Sequence, residues 1–154
     1  MALTVSSPQW KRGETIPTKY TADGADVSPP LHFEGIPAGT KAFALVCDDP
    51  DAPVGTWVHW VIYDIPGVAK GLPEGIASSP SLPDGSRQGK NSWNKVGYGG
   101  PSPPPGNAHR YFFRLYALRD LLNVPPGLGA KEVEAAARGK SIEMAESMGT
   151  YGRR

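Results

Sequence analysis

The 154-residue sequence predicts a mostly β fold, an antiparallel β domain with a C-terminal helix. Three observations carry this expectation. Runs rich in β-branched and aromatic residues recur along the chain. The 19 glycines and 17 prolines punctuate those runs, which marks turns and loops rather than low-complexity sequence. Only near the end do apolar residues recur at helical spacing.

Leu3 to Ser6 and the stretch around Leu31-His32-Phe33 are short strand candidates. Lys41 to Cys47 and Trp57 to Ile65 are stronger, being dense in residues that fit a pleated, buried surface. Pro66 to Lys90 is a long polar connection of Gly, Pro and Ser. A loop of that length in a compact domain is pinned by short elements or is functional. Arg110 to Leu118 reads as a further strand. At the end, Ala130, Val133, Ala137, Met144 and Met148 fall on one helical face, and Gly149 supplies a stop. Glu134 and Arg138 are spaced to pair on the helix surface, and Gly139 weakens the helix by about 1 kcal/mol relative to Ala. The Met-bearing stripe is read as core packing.

The length suits a single domain spanning residues 1–154. A composition of 39% hydrophobic and 20% charged residues with net charge +1 argues against nucleic acid and against a basic membrane-binding surface. Cys47 is the only cysteine, so no intrachain disulfide forms, and its apolar neighbours suggest a buried small residue. The opening MALTVSSPQW lacks the pattern of a signal peptide, and no segment reaches the roughly 20 apolar residues of a spanning helix. A cytoplasmic protein without a transmembrane segment is expected.

Two segments carry chemistry. In DDPDAPVGTWVHW, from Asp48 to Trp60, three carboxylates gather around two prolines before a strand containing His59. Strict alternation puts Trp57, His59, Val61, Tyr63 and Ile65 on one face of that strand. His109, Tyr111, Phe113 and Leu115 share a face of the later one. Each histidine therefore begins an apolar face beside a turn-rich segment, and the two together suggest a shared pocket. The second segment, GYGGPSPPPGNAHRY, combines prolines that fix the backbone with glycines that permit close approach to a ligand. Its few N–H groups, such as those of Gly100 and Ser102, are candidates to face an anion.

DPDAP followed by a strand with HW, then GYGGPSPPPGNAHRYFFRLYAL, resemble the phosphatidylethanolamine-binding protein family. SPPLHFEGIPAGTKAFAL upstream and GTYGR at the end extend the likeness over nearly the whole chain, and it is greatest to the short prokaryotic, Raf kinase inhibitor-like branch. The resemblance implies a large antiparallel sheet packed with a smaller one and a helix. It also implies a small anion pocket at one end, lined by Asp49, Asp51, His59, Gly100, Pro101, His109 and Tyr111. It further implies a cis Ala52–Pro53 bond that turns Asp51 into the pocket. Where that branch commonly has a loop cysteine this chain has Ser102, which removes any thiol-dependent role and leaves the pocket.

These residues suggest a binding module, not an enzyme, that takes phosphate, a phosphoethanolamine-like head group or a carboxylate. No cofactor and no metal are expected. The resemblance allows a kinase or protease as protein partner, and a homodimer. Asp49 or Asp51 could accept a hydrogen bond from His59 or His109, fixing its tautomer and favouring the imidazolium, while a free carboxylate could receive an ammonium. The first alternative is a hydrolase using Ser102, His109 and an aspartate. Against it, the loop lacks the second glycine of a G-x-S-x-G elbow, and Pro103 removes the donor after the serine. The second is a metal site, drawn from Asp48, Asp49, Asp51 and His59 or from Asp49, Asp51, His59 and His109. DDPD lacks the glycine and spaced oxygens of an EF-hand loop, although two His and two Asp could hold zinc.

Overall fold

Ala42–Asp49 forms a strand, β3, in which every residue is buried, so both of its faces must be covered. The computed structural model describes residues 2–154 and shows what covers them. The other strands are β1 (Thr4–Ser6), β2 (Leu31–Glu34), β4 (Trp57–Pro66), β5 (Gly71–Leu72), β6 (Arg87–Gln88), β7 (His109–Leu118) and β8 (Ser141–Tyr151). An α-helix, α1, spans Ala130–Arg138. A five-stranded antiparallel sheet runs β6-β4-β3-β7-β8, and a three-stranded antiparallel sheet runs β1-β2-β5. The expected mostly β architecture with two sheets and a C-terminal helix is what the chain adopts.

The core lies on both sides of the large sheet. On one face Phe43, Leu45 and Cys47 of β3, Trp60 and Ile62 of β4, and Tyr111, Phe113 and Leu115 of β7 pack against Val5, Leu31, Phe33 and Leu72 of the small sheet. On the other face Ala42, Ala44, Val46, Val61, Tyr63 and Tyr116 receive Val133 and Ala137 of α1. The alternation of β3 thus serves two cores at once. That is why it reads as a continuous apolar run rather than an alternating one.

Strand β4 departs from the alternation expected of it. Cys47 pairs with Trp60 and Asp48 with Val58, so His59 is the extra residue of a β-bulge. The bulge puts Trp57, His59 and Trp60 on the small-sheet side and sends Val61 and Tyr63 to the helix side, so His59 does not share a face with Val61 and Tyr63. A second irregularity sets Tyr63 and Asp64 opposite Ala44, with Asp64 at φ 53°, and returns Ile65 to the first core. In β7, by contrast, Tyr111, Phe113 and Leu115 share the inward face as expected.

The C-terminal helix is shorter than its apolar spacing suggests. It stops at Arg138, Gly139 caps it, and Ser141–Tyr151 is a strand paired along the whole of β7. Met144 and Met148 are four residues apart, a spacing that keeps two side chains on one side of a helix and of a strand alike. Gly149 is therefore no helix stop. A Cβ there would lie 2.5 Å from the Ile16 side chain and 2.6 Å from Trp10 Nε1, so glycine lets that segment pack on β8. Glu134 takes a hydrogen bond from the Tyr116 hydroxyl (2.8 Å), anchoring the helix to the sheet.

The connection from Pro66 to Lys90 is pinned by short elements. Its β5 joins the small sheet and its β6 the large one. Buried Gln88 accepts from Trp60 Nε1 (2.8 Å) and donates to the carbonyls of Ala77 (2.7 Å) and Ser79 (2.9 Å).

Candidate functional site

The bulge in β4 and the start of β7 bring the two histidines to one end of the large sheet. Both line a cavity of about 220 Å³, together with Asp49, Trp57, Tyr111, Trp93 and residues of the Pro53 and Pro103 loops. Each ring is oriented by its Nδ1. His109 Nδ1 lies 2.7 Å from Asp49 Oδ2, and His59 Nδ1 lies 2.6 Å from the Gly99 carbonyl. The Gly99 carbonyl accepts only, so His59 Nδ1 carries the hydrogen, and the Asp49 carboxylate favours the same arrangement at His109. What either ring offers the cavity therefore comes from Nε2.

The Asp49 carboxylate is held by hydrogen bonds at both oxygens. One oxygen faces His109, and the other accepts the Asp51 N–H at 2.8 Å. The expected carboxylate–histidine pair forms for His109, whereas a carbonyl takes that place for His59. Burial holds the His59 pKa below its usual 6.5, partly opposed by the Gly99 carbonyl and by the charge of Asp49. The Tyr111 hydroxyl is buried and has no hydrogen-bond partner among the described residues. Burial, reinforced by the charge of Asp49, pushes its pKa up, so it remains a donor. His59 meets Tyr111 edge-on at 5.1 Å and Trp93 edge-on at 5.0 Å, so aromatic rings wall the histidine on two sides.

Of the seven residues expected at the pocket, Asp49, His59, His109 and Tyr111 line it. Asp51, Gly100 and Pro101 do not. The Asp51 carboxylate takes the Arg110 N–H (2.9 Å), Nε (2.9 Å) and Nη2 (2.8 Å), and that guanidinium holds its pKa down to about 2. The Ala52–Pro53 bond is trans, contrary to expectation. Pro53 occupies the second position of a turn closed by Gly55 N–H to the Ala52 carbonyl (3.0 Å), where a trans proline's fixed φ fits. The Gly100 N–H is spent on Asp26 Oδ1 (2.8 Å), so it is not presented to an anion. A Cβ at Gly100 would lie 2.4 Å from the Tyr20 carbonyl, so this glycine serves packing between loops. Pro101 is buried, and its carbonyl accepts the Ala22 N–H (3.0 Å). Among the described residues no group of three or more His, Cys, Asp or Glu is placed to hold a metal ion.

Trp93 was not singled out by its sequence context. It rides on a turn whose N–H groups at Trp93 (3.0 Å) and Lys95 (3.2 Å) are taken by Asn91 Oδ1. That segment is tied along β4 by Ser92 N–H to the Val58 carbonyl and Gly99 N–H to the His59 carbonyl. The legible signal was a tryptophan in a turn-rich loop, 40% exposed in the fold.

A model of the phosphatidylethanolamine-binding protein family matches residues 6–152. The chain belongs to this family. Relatives at 47% identity in Aquifex aeolicus (98% of this chain, 89% of the other) and 49% in Methanothermobacter thermautotrophicus (90% and 91%) both carry the name UPF0098 protein. Among solved structures, the phosphatidylethanolamine-binding protein homologue CT736 of Chlamydia trachomatis superposes with a TM-score of 0.90 at 35% identity over 99% of each chain. The E. coli protein YbcL, described as a member of the mammalian family, gives 0.91 at 32% over the whole of both chains. Like these relatives, the chain has the fold of phosphatidylethanolamine-binding proteins. Among its described residues no helix is long and apolar enough to cross a membrane.

Proposed function

We propose that this phosphatidylethanolamine-binding protein family member binds small phosphoryl or carboxylate anions in the cavity between His59 and His109, without turning them over. The observation that carries the reading is the pair of buried rings, each held at Nδ1 by an acceptor, beside the unpartnered Tyr111 hydroxyl. Among the described residues no Lys or Arg lines this cavity, so positive charge there comes from protonating imidazole. Because folding lowers the His59 pKa, an anion that favours the imidazolium draws a proton in as it binds. Affinity for phosphate should rise as pH falls below 6.5, the usual histidine value. Calorimetry in buffers of different ionisation heat should register uptake of up to about one proton at His59. Hydrogen bonds to charged groups contribute roughly 1.5–3 kcal/mol each, so the His59→Ala/His109→Ala double variant should lose about a hundredfold or more. Affinity that is flat with pH, or unchanged in the double variant, defeats the reading.

One observation favours a second reading. Asp49, His109 and Ser102 meet at the same cavity, with the carboxylate already on the ring's Nδ1, as in a hydrolytic triad. Ser102→Ala separates the two: phosphate binding unchanged and no ester turnover to lose is the binding-module result. A serine-dependent esterase activity would favour the hydrolase.

A further inference from the structure

A second cleft, of about 370 Å³, adjoins the first and shares Trp93 and Ser102 with it. Its other walls include Asp26, Ser78, Asn91, Lys95 and Tyr98. Some of these groups are committed to the fold. Asn91 holds the Trp93 turn and donates to the Gly97 carbonyl (3.0 Å), and the Tyr98 hydroxyl donates to the Tyr20 carbonyl (2.6 Å). Asp26 spends one oxygen on the Gly100 N–H (2.8 Å). What remains for a ligand is the second carboxylate oxygen of Asp26, the Lys95 ammonium, the serine hydroxyls, and the Trp93 and Tyr98 rings.

We propose that the two clefts take one ligand, a phosphate ester bearing neighbouring hydroxyl groups, and this rests on the anion-binding reading above. The phosphate lies between the histidines, the ester passes the Trp93–Ser102 divide, and the hydroxyls enter the Asp26 cleft. A carboxylate only accepts hydrogen bonds and an ammonium only donates them. A hydroxyl does both, so a polyol satisfies Asp26 and Lys95 together. An amine would suit Asp26 and be repelled by Lys95; a second anion would meet the reverse. The chemistry is common to free polyol phosphates and to phospholipids with a glycerol head group.

The test is calorimetric titration of inorganic phosphate, glycerol 3-phosphate and dihexanoyl phosphatidylglycerol into the wild-type protein, Asp26→Asn and Lys95→Met. Asn keeps an oxygen for the Gly100 N–H, and Lys95 is exposed, so two independent variants probe the cleft. The expected result is that the wild type binds at least one ester about tenfold or more tighter than phosphate. Each variant should lose that margin, the ratio of ester to phosphate affinity. Phosphate affinity itself stays unchanged in Lys95→Met and shifts in Asp26→Asn, because the Asp26 charge favours the His59 imidazolium. The ester with the larger margin identifies the free or the lipid source. Equal affinity for phosphate and both esters in the wild type overturns the shared-ligand proposal and leaves the anion pocket standing. So does an equal loss of all three ligands in both variants. Failure of the wild type to bind phosphate overturns the anion pocket, and the proposal with it.

Discussion

His59 has no carboxylate of its own, and that governs its titration. Its Nδ1 meets a carbonyl, aromatic rings flank it, and burial outweighs the charges that favour protonation, so its pKa in the fold lies below 6.5. The unfolded chain therefore takes up a proton at a higher pH than the folded protein does. Stability is full above pH 6.5 and falls as pH drops toward the lower folded value. Asp51 behaves differently: its stabilising contribution is present above its usual 3.8, is lost as pH falls toward about 2, and is small because the group is near the surface. Thermal melts between pH 7.5 and pH 5 should thus show a decline that His59→Gln reduces and that added phosphate offsets. An equal decline in the variant would place the sensitive group elsewhere. The identities of Asp49, His59, His109 and Tyr111 were legible in the sequence because they fall within long motifs. The role of Asp51 was not, because its partner Arg110 is 59 residues away in the chain.

At the scale of elements, Gln88 shows how a long polar connection is held without a core of its own. Its three hydrogen bonds reach Trp60 in β4 and two carbonyls of the connection. Neutral hydrogen bonds contribute about 1 kcal/mol each, and leaving Trp60 Nε1 unpaired adds a desolvation cost of about 1 kcal/mol or more, so Gln88→Ala should destabilise by about 4 kcal/mol or more. Urea denaturation would measure the loss, and limited proteolysis should cut between Leu72 and Ser86 faster in the variant. An unchanged cleavage rate would mean that β5 and β6 alone fix the loop. The strand candidates were legible from composition. The boundary between α1 and β8 was not, since Ala130, Val133 and Ala137 carry true helical spacing while Met144 and Met148 fit either element. The decisive term is tertiary: β7 has an edge to be paired, and Ser141–Tyr151 pairs it.

Across the whole molecule, the segment after β8 holds one of the loops that line the site. Arg153 Nη2 (2.7 Å) and Nε (3.1 Å) bind Asp23, while its Nη1 binds the carbonyl of Pro103, a cavity residue (3.1 Å). The Tyr151 hydroxyl reaches the same aspartate (2.6 Å). Arg153→Ala should therefore weaken phosphate binding several-fold with little change in melting temperature, and Arg153→Lys should restore only part, since Lys cannot grip two acceptors with a planar fork. A drop in melting temperature with affinity intact would make this contact structural only. The two-sheet architecture was legible through the resemblance, whereas the true alternation of β4 was not, because a bulge leaves no mark in residue types. That bulge has a consequence for how the chain tolerates change. Side-chain alternation acts along a strand as a reading frame, and His59 is its inserted letter. Deleting Val58 would restore the frame and pair the strand more regularly. His59 would then take the place opposite Asp48 and turn from the cavity toward the helix, while Trp57 stayed opposite Asp49. Along β4, then, length is as much a part of the site as chemistry.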